Sequence, residues 1–184
     1  MRAVLLAETA LADTDRLFAD GVDHLARKLG RVKPLDAAAV PPSRTAALAY
    51  LTDWADGDVS TWEQELARFY EEHIPVYLRP SQTLNAIVRE LAADGVRVGA
   101  WSPGPAEAFA VVVHHLGLTR HLAALRIDSS PRAPLALAAE LEVEAVATVA
   151  VTGDPAAASA ARSVGMLVEP SAEALVRLLE PRPG

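Results

Sequence analysis

Val96-Arg97-Val98-Gly99-Ala100-Trp101-Ser102-Pro103-Gly104-Pro105-Ala106 carries a strand, a tight turn and the start of a helix in eleven residues. Val96 to Trp101 reads as a strand, Ser102-Pro103-Gly104-Pro105 as a tight turn, and Ala106 to Leu116 as a helix. Upstream, Ser81 to Asp94 is a helix with Leu84, Ile87, Val88 and Leu91 on one face, and Gly95 ends it. Downstream the alternation continues. Leu122–Ile127 is a short strand, Pro134–Leu141 a helix and Ala145–Val151 a β-branched strand. Thr152-Gly153-Asp154-Pro155 is a turn before a helix over Ala156–Val164. A strand over Met166–Val168, a helix over Ser171–Leu179 and a frayed Arg182-Pro183-Gly184 complete the chain. Strands and helices alternating with short connections predict a parallel Rossmann-like α/β sheet with helices on both faces.

Toward the N-terminus the pattern differs. Ala3-Val4-Leu5-Leu6 reads as a buried strand, though periodicity alone leaves a helix open. Asp13 or Thr14 caps a helix through Leu17, Phe18, Val22, Leu25 and Leu29, which Gly30 stops. Pro34, Pro41 and Pro42 mark residues 31–43 as a loop with one helical turn. Thr45–Trp54 and Thr61–His73 are two more helices, separated by the turn Asp56-Gly57-Asp58. Segment 13–78 therefore reads as all-helical, lying between the first strand, within 1–12, and the alternating stretch 79–184. Trp54, Trp62, Phe69, Tyr70 and Tyr77 concentrate aromatic residues there, as a core against the sheet or a face for a partner.

Composition narrows the function. Hydrophobic residues make up 51% and charged residues 22% of 184, enough for a sizeable core. A net charge of −7 without a dense Lys/Arg cluster argues against nucleic acid as the partner. There is no cysteine, which excludes disulfides and thiolate metal sites. The longest apolar run, Ala106–Val113, contains Glu107 and is too short to span a bilayer. A cytoplasmic protein that binds neither nucleic acid nor membrane is the expectation.

In open parallel sheets, ligands sit beyond the carboxyl ends of the strands. The residues to inspect are Ala7–Ala10, Ser102–Pro105, Asp128–Arg132 and Thr152–Pro155. Together these four strand ends resemble the motifs of haloacid dehalogenase (HAD) superfamily phosphatases, in the phosphoglycolate-phosphatase-like branch. Arg79-Pro80 through Ala93-Asp94-Gly95-Val96-Arg97-Val98 is similar to the family's proline–helix–glycine–strand run. Trp101-Ser102 matches its second motif, and Val149-Ala150-Val151-Thr152-Gly153-Asp154 the start of its fourth. The resemblance implies that 13–78 is a small helical cap closing over the site.

It also implies a first motif of strand–Asp–x–Asp–Gly–Thr, which here reads Ala7-Glu8-Thr9-Ala10-Leu11. The nucleophile position is Ala7 and the acid/base position Thr9. A methyl group has no oxygen to attack phosphorus, and a hydroxyl of high pKa is a poor proton donor at neutral pH. Those positions also supply Mg²⁺ ligands in the family. Asp154 remains, but the second acidic position of the fourth motif falls on Ala158, and the lysine of the third falls near Pro131-Arg132.

Ser102 is thus a candidate anion contact, Arg132 a candidate cation, and Asp154 a candidate ligand contact. Asp154 is also the one candidate for a metal, Mg²⁺, which only the resemblance implies. Against these stand simpler readings: Ser102 opening a turn, and Asp154 before Pro155 capping a helix. Glu8, one step from Ala7, is expected to point away from the site. Asp13 and Asp15 form an Asp-x-Asp pair whose expected role is capping. His114-His115 are adjacent on a helix and share no face. The expected function is a non-catalytic HAD-like module that binds a phosphate-bearing small molecule or a protein partner. A hydrolase working by a non-standard route through Asp154, Arg132 and Ser102 stays open. So does a homo-oligomeric structural or regulatory subunit using the aromatic block.

Overall fold

The computed structural model describes residues 1–56 and 60–176. Five strands form one all-parallel sheet in the order β3-β2-β1-β4-β5. They are β1 (Ala3–Ala7), β2 (Arg97–Ser102), β3 (Ala124–Ile127), β4 (Thr148–Val151) and β5 (Leu167–Glu169). The helices are α1 (Glu8–Leu11), α2 (Asp15–Leu29), α3 (Arg44–Trp54), α4 (Ser60–Tyr77), α5 (Gln82–Ala93), α6 (Ala106–His115), α7 (Ala133–Glu140) and α8 (Pro155–Ser163).

β1 sits at the centre because all of its residues are apolar and buried. Its alternation feeds two cores. Val4 and Leu6 join the larger one, with Leu84, Ile87 and Val88 of α5 and Phe109, Val112 and Val113 of α6. Ala3, Leu5 and Ala7 join the other, with Leu137 of α7 and Ala161 of α8. A strand buried on both faces reads as a continuous apolar run, as Ala3–Leu6 does. Close approach of α7 to the sheet depends on Gly99, where an added Cβ would lie 3.1 Å from Leu137 Cδ2 and Leu141 Cδ1.

The helical block α2–α4 has no separate core. Leu17, Phe18, Val22 and Leu25 of α2 and Trp62, Leu66, Phe69 and Tyr70 of α4 belong to the same cluster as α5, α6 and the sheet. Trp62, Phe69 and Tyr70 are buried, whereas Trp54 and Tyr77 are partly so.

Several boundaries differ from the sequence reading. The chain turns into α1 immediately after Ala7, where Glu8 was read by the alternation of a strand and no helix was expected. α4 runs past His73 and through Pro75, because Ile74 and Leu78 bury the last turn and Leu78 N–H still reaches Ile74 C=O. Ala145–Ala147 is a 3₁₀ turn rather than strand, with Glu144 C=O accepting from Ala147 N–H and the Thr148 hydroxyl. Ala172–Leu175 is likewise 3₁₀. Gly57 and Asp58 of the expected turn, the end of the helix expected to Leu179, and Arg182-Pro183-Gly184 lie outside the described residues. Among the described residues, no helix is long and apolar enough to cross a membrane.

Candidate functional site

Successive connections run outward from β1 to β2 and β3, then return to β4 on the other side. The strand order therefore reverses beside β1, which opens a crevice at the carboxyl ends. A cavity of about 180 Å³ lies there. Ala7, Glu8 and Thr9 follow β1. Trp101 and Pro103 flank the end of β2, Asp128, Ser129 and Ser130 follow β3, and Thr152 and Asp154 follow β4. From the helical block come Thr14, Asp15, Arg44 and Thr45.

Ala7 pairs in register with Trp101 and presents only a methyl group. Thr9 is exposed beside it. Glu8 corrects the expectation that it points away. Strand alternation no longer governs it, because β1 ends at Ala7 and α1 begins at Glu8. Its carboxylate is buried and accepts from the Thr14 hydroxyl at 2.6 Å and from the Ser102 hydroxyl. Arg44 Nη1 lies 3.3 Å from Glu8 Oε1, and Nη2 donates to Thr14 Oγ1 at 3.0 Å and to Asp15 Oδ1 at 3.4 Å. The Arg44 guanidinium carbon stands 4.1 Å from the Phe18 ring centroid, a cation–π contact.

Ser102 is engaged in both roles: it donates to Glu8 and accepts from Gly104 N–H at 2.9 Å. The Gly104 backbone, at φ +112°, is one that side-chain-bearing residues rarely adopt. Asp154 lines the cavity while capping α8, accepting from Ala156 N–H at 3.0 Å and Ala157 N–H at 3.2 Å. Arg132 is exposed at the N-cap of α7 and does not line the cavity, so Arg44 is the cavity's one cation among the described residues. Thr14 precedes α2 without capping it, its hydroxyl being given to Glu8, while Asp13 accepts from Asp15 N–H at 3.2 Å. His114 is exposed, whereas His115 Nε2 lies 3.1 Å from Leu78 O.

Burial raises the Asp128 pKa, but hydrogen bonds from Ser130 and Arg126 outweigh it and hold the carboxyl below its usual range. Burial, the largest influence, holds the Tyr70 hydroxyl far above the ordinary tyrosine range. Arg44 opposes this shift, and Glu8 and Asp15 add to it.

The oxygens present do not suit Mg²⁺. Glu8 is already engaged by Ser102, Thr14 and Arg44, Asp154 by helix N–H groups, and Asp128 by Arg126 and Ser130. Among the described residues, no three acidic or histidine side chains group in an arrangement that would hold an ion.

Sequence reasoning missed Glu8 and Arg44. One signal was available for Arg44. A cation opening a helix opposes the helix dipole, and such a local conflict points to a tertiary partner.

No protein-family model matches the chain, and no curated protein matches it in sequence. Solved structures do match in shape. CbbY from Rhodobacter sphaeroides, in complex with phosphate, superposes with a TM-score of 0.64 at 14% identity, over 91% of this chain and 84% of that one. A β-phosphoglucomutase from Clostridium difficile gives 0.62 at 17% identity, over 95% and 93%. A HAD-superfamily hydrolase of subfamily IA from Geobacter sulfurreducens gives 0.61 at 12% identity, over 97% and 96%. The chain has the fold of the HAD-superfamily hydrolases.

Proposed function

We propose that this protein is a HAD-like binding or regulatory module that does not perform covalent phosphoryl transfer. One observation carries the reading: β1 ends in the methyl group of Ala7, and the adjacent carboxylate, Glu8, is held by Ser102, Thr14 and Arg44. A nucleophile must be free to approach phosphorus, and a carboxylate with three charge-assisted partners is not. Segment 13–78 acts as the cap, bringing Thr14, Asp15 and Arg44 to the crevice. The ligand is a small oxyanion-bearing molecule such as a phosphate ester. The setting proposed for it is the cytoplasm, with which the lack of cysteine is compatible.

A second reading has its own support. Asp15, Asp128 and Asp154 all line the cavity, so acid/base groups for hydrolysis by a non-standard route are at hand. Hydrolysis of a generic phosphomonoester, measured with and without Mg²⁺, separates the two, run beside an Ala7→Asp, Thr9→Asp variant. The binding-module reading expects silence in the native chain. Activity in the native chain that Asp154→Ala abolishes would establish the hydrolase instead.

A further inference from the structure

We propose that the Glu8 carboxylate is an intramolecular ligand filling an oxyanion site built from Ser102, Thr14 and Arg44, and that this pairing latches α3 over the crevice. The inference rests on reading the crevice as a binding site. Its donors come from three separate segments: the end of β2, the linker before α2 and the first residue of α3. They converge on one carboxylate whose side chain is 6% exposed, with Arg44 at 15%. Two hydroxyls and a guanidinium are what a carboxylate or phosphate oxygen pair requires.

Stability alone does not account for the arrangement. A buried ion pair is seldom better than apolar residues of the same volume, and Arg44 also opposes the α3 dipole. Nearby, among the described residues, the buried Tyr70 hydroxyl donates to no acceptor, and it feels the charges of both Arg44 and Glu8. The aspartates of the cavity do not bar an anion. Asp128 is paired with Arg126, Asp154 is satisfied by α8, and Asp15 is 86% exposed and screened by solvent.

An external oxyanion must therefore displace Glu8 from Arg44 and Ser102, and it then takes over the hold on α3 through Arg44. Without Glu8, the same donors face an empty position of matching charge.

The test titrates inorganic phosphate, without Mg²⁺, into the full chain by calorimetry. Glu8→Ala should bind phosphate at least about ten-fold more tightly than the native protein, a difference of about 1.4 kcal/mol. Adding Arg44→Met to Glu8→Ala should abolish that gain. Glu8→Gln, neutral and of the same size, covers the case in which alanine does not fold and should still gain about three-fold. Equal affinity in native and Glu8 variants, or a gain that survives loss of Arg44, overturns the proposal. Hydrogen exchange gives an independent readout: Arg44→Met alone should speed amide exchange in α3 relative to α6, and unchanged α3 protection would overturn the latch. Turnover by the native chain would refute the non-catalytic reading while leaving these binding comparisons intact.

Discussion

The hydroxyl of Ser102 donates to the carboxylate of Glu8, a residue 94 positions away, and accepts from Gly104 N–H at 2.9 Å. One oxygen thereby joins the end of β1 to the turn after β2. Ser102→Ala leaves Glu8 short of a donor and Gly104 N–H short of an acceptor, both buried. The expected cost is about 1–3 kcal/mol in urea unfolding. A loss under about 0.5 kcal/mol would show that the bond contributes nothing.

Asp154 is a helix cap by geometry. Asp154→Ala should lower stability by about 1 kcal/mol, and Mg²⁺ should shift the melting of neither protein. A millimolar Mg²⁺ stabilisation present in the native chain and absent from the variant would instead make Asp154 a metal ligand.

Gly21 faces α4 so closely that an added Cβ would lie 2.5 Å from Leu66 Cδ1 and 3.3 Å from Phe69 Cδ1. Alanine inside a helix ordinarily stabilises by up to about 1 kcal/mol. Here overpacking should reverse the sign, with Gly21→Ala destabilising by about 1–2 kcal/mol in thermal melts.

Glu65 is held below its usual pKa, first by its hydrogen bond with Lys28, against burial, with the charges of Lys28 and Arg68 adding to the effect. A depressed carboxyl contributes stability above its unfolded pKa and loses it as pH falls through the folded value. Asp128 acts in the same direction. Native stability should therefore decline from about pH 5 downward, and Glu65→Gln should flatten that acid limb. An unchanged slope would rule out Glu65 as a contributor.

Restoring carboxylates at the end of β1 should cost stability. Ala7 is buried, and Ala7→Asp with Thr9→Asp sets two carboxylates on either side of the buried Glu8 carboxylate. A loss of about 1–3 kcal/mol is expected. Relief of that loss by Mg²⁺ would show that the pair recreates a metal site.

Legibility followed the range of the interactions. The strands around Val98 and Val149, the helices with Leu84, Ile87, Val88 and Leu91 or Phe109 and Val112, and the crevice at the strand ends were readable because periodicity and turn residues are local signals. Asp154 and Pro155 announced a helix start, and the structure places one there. α1 was not readable, since four residues are too few for a period to show. The 3₁₀ turn at Ala145–Ala147 was hidden in a run that looked like continuous strand.

The alternating elements, the parallel sheet and the absence of a carboxylate at positions 7 and 9 follow from residue identity and short-range spacing alone. Only the tertiary structure decided which side chains meet in the crevice. Glu8, Thr14, Arg44 and Ser102 are scattered over 95 residues, and their convergence depends on how α2 and α3 pack against the sheet. It also decided that Arg44, rather than Arg132, lines the cavity. No local pattern encodes that choice, since a buried carboxylate takes whichever cation the folded chain brings within hydrogen-bond reach.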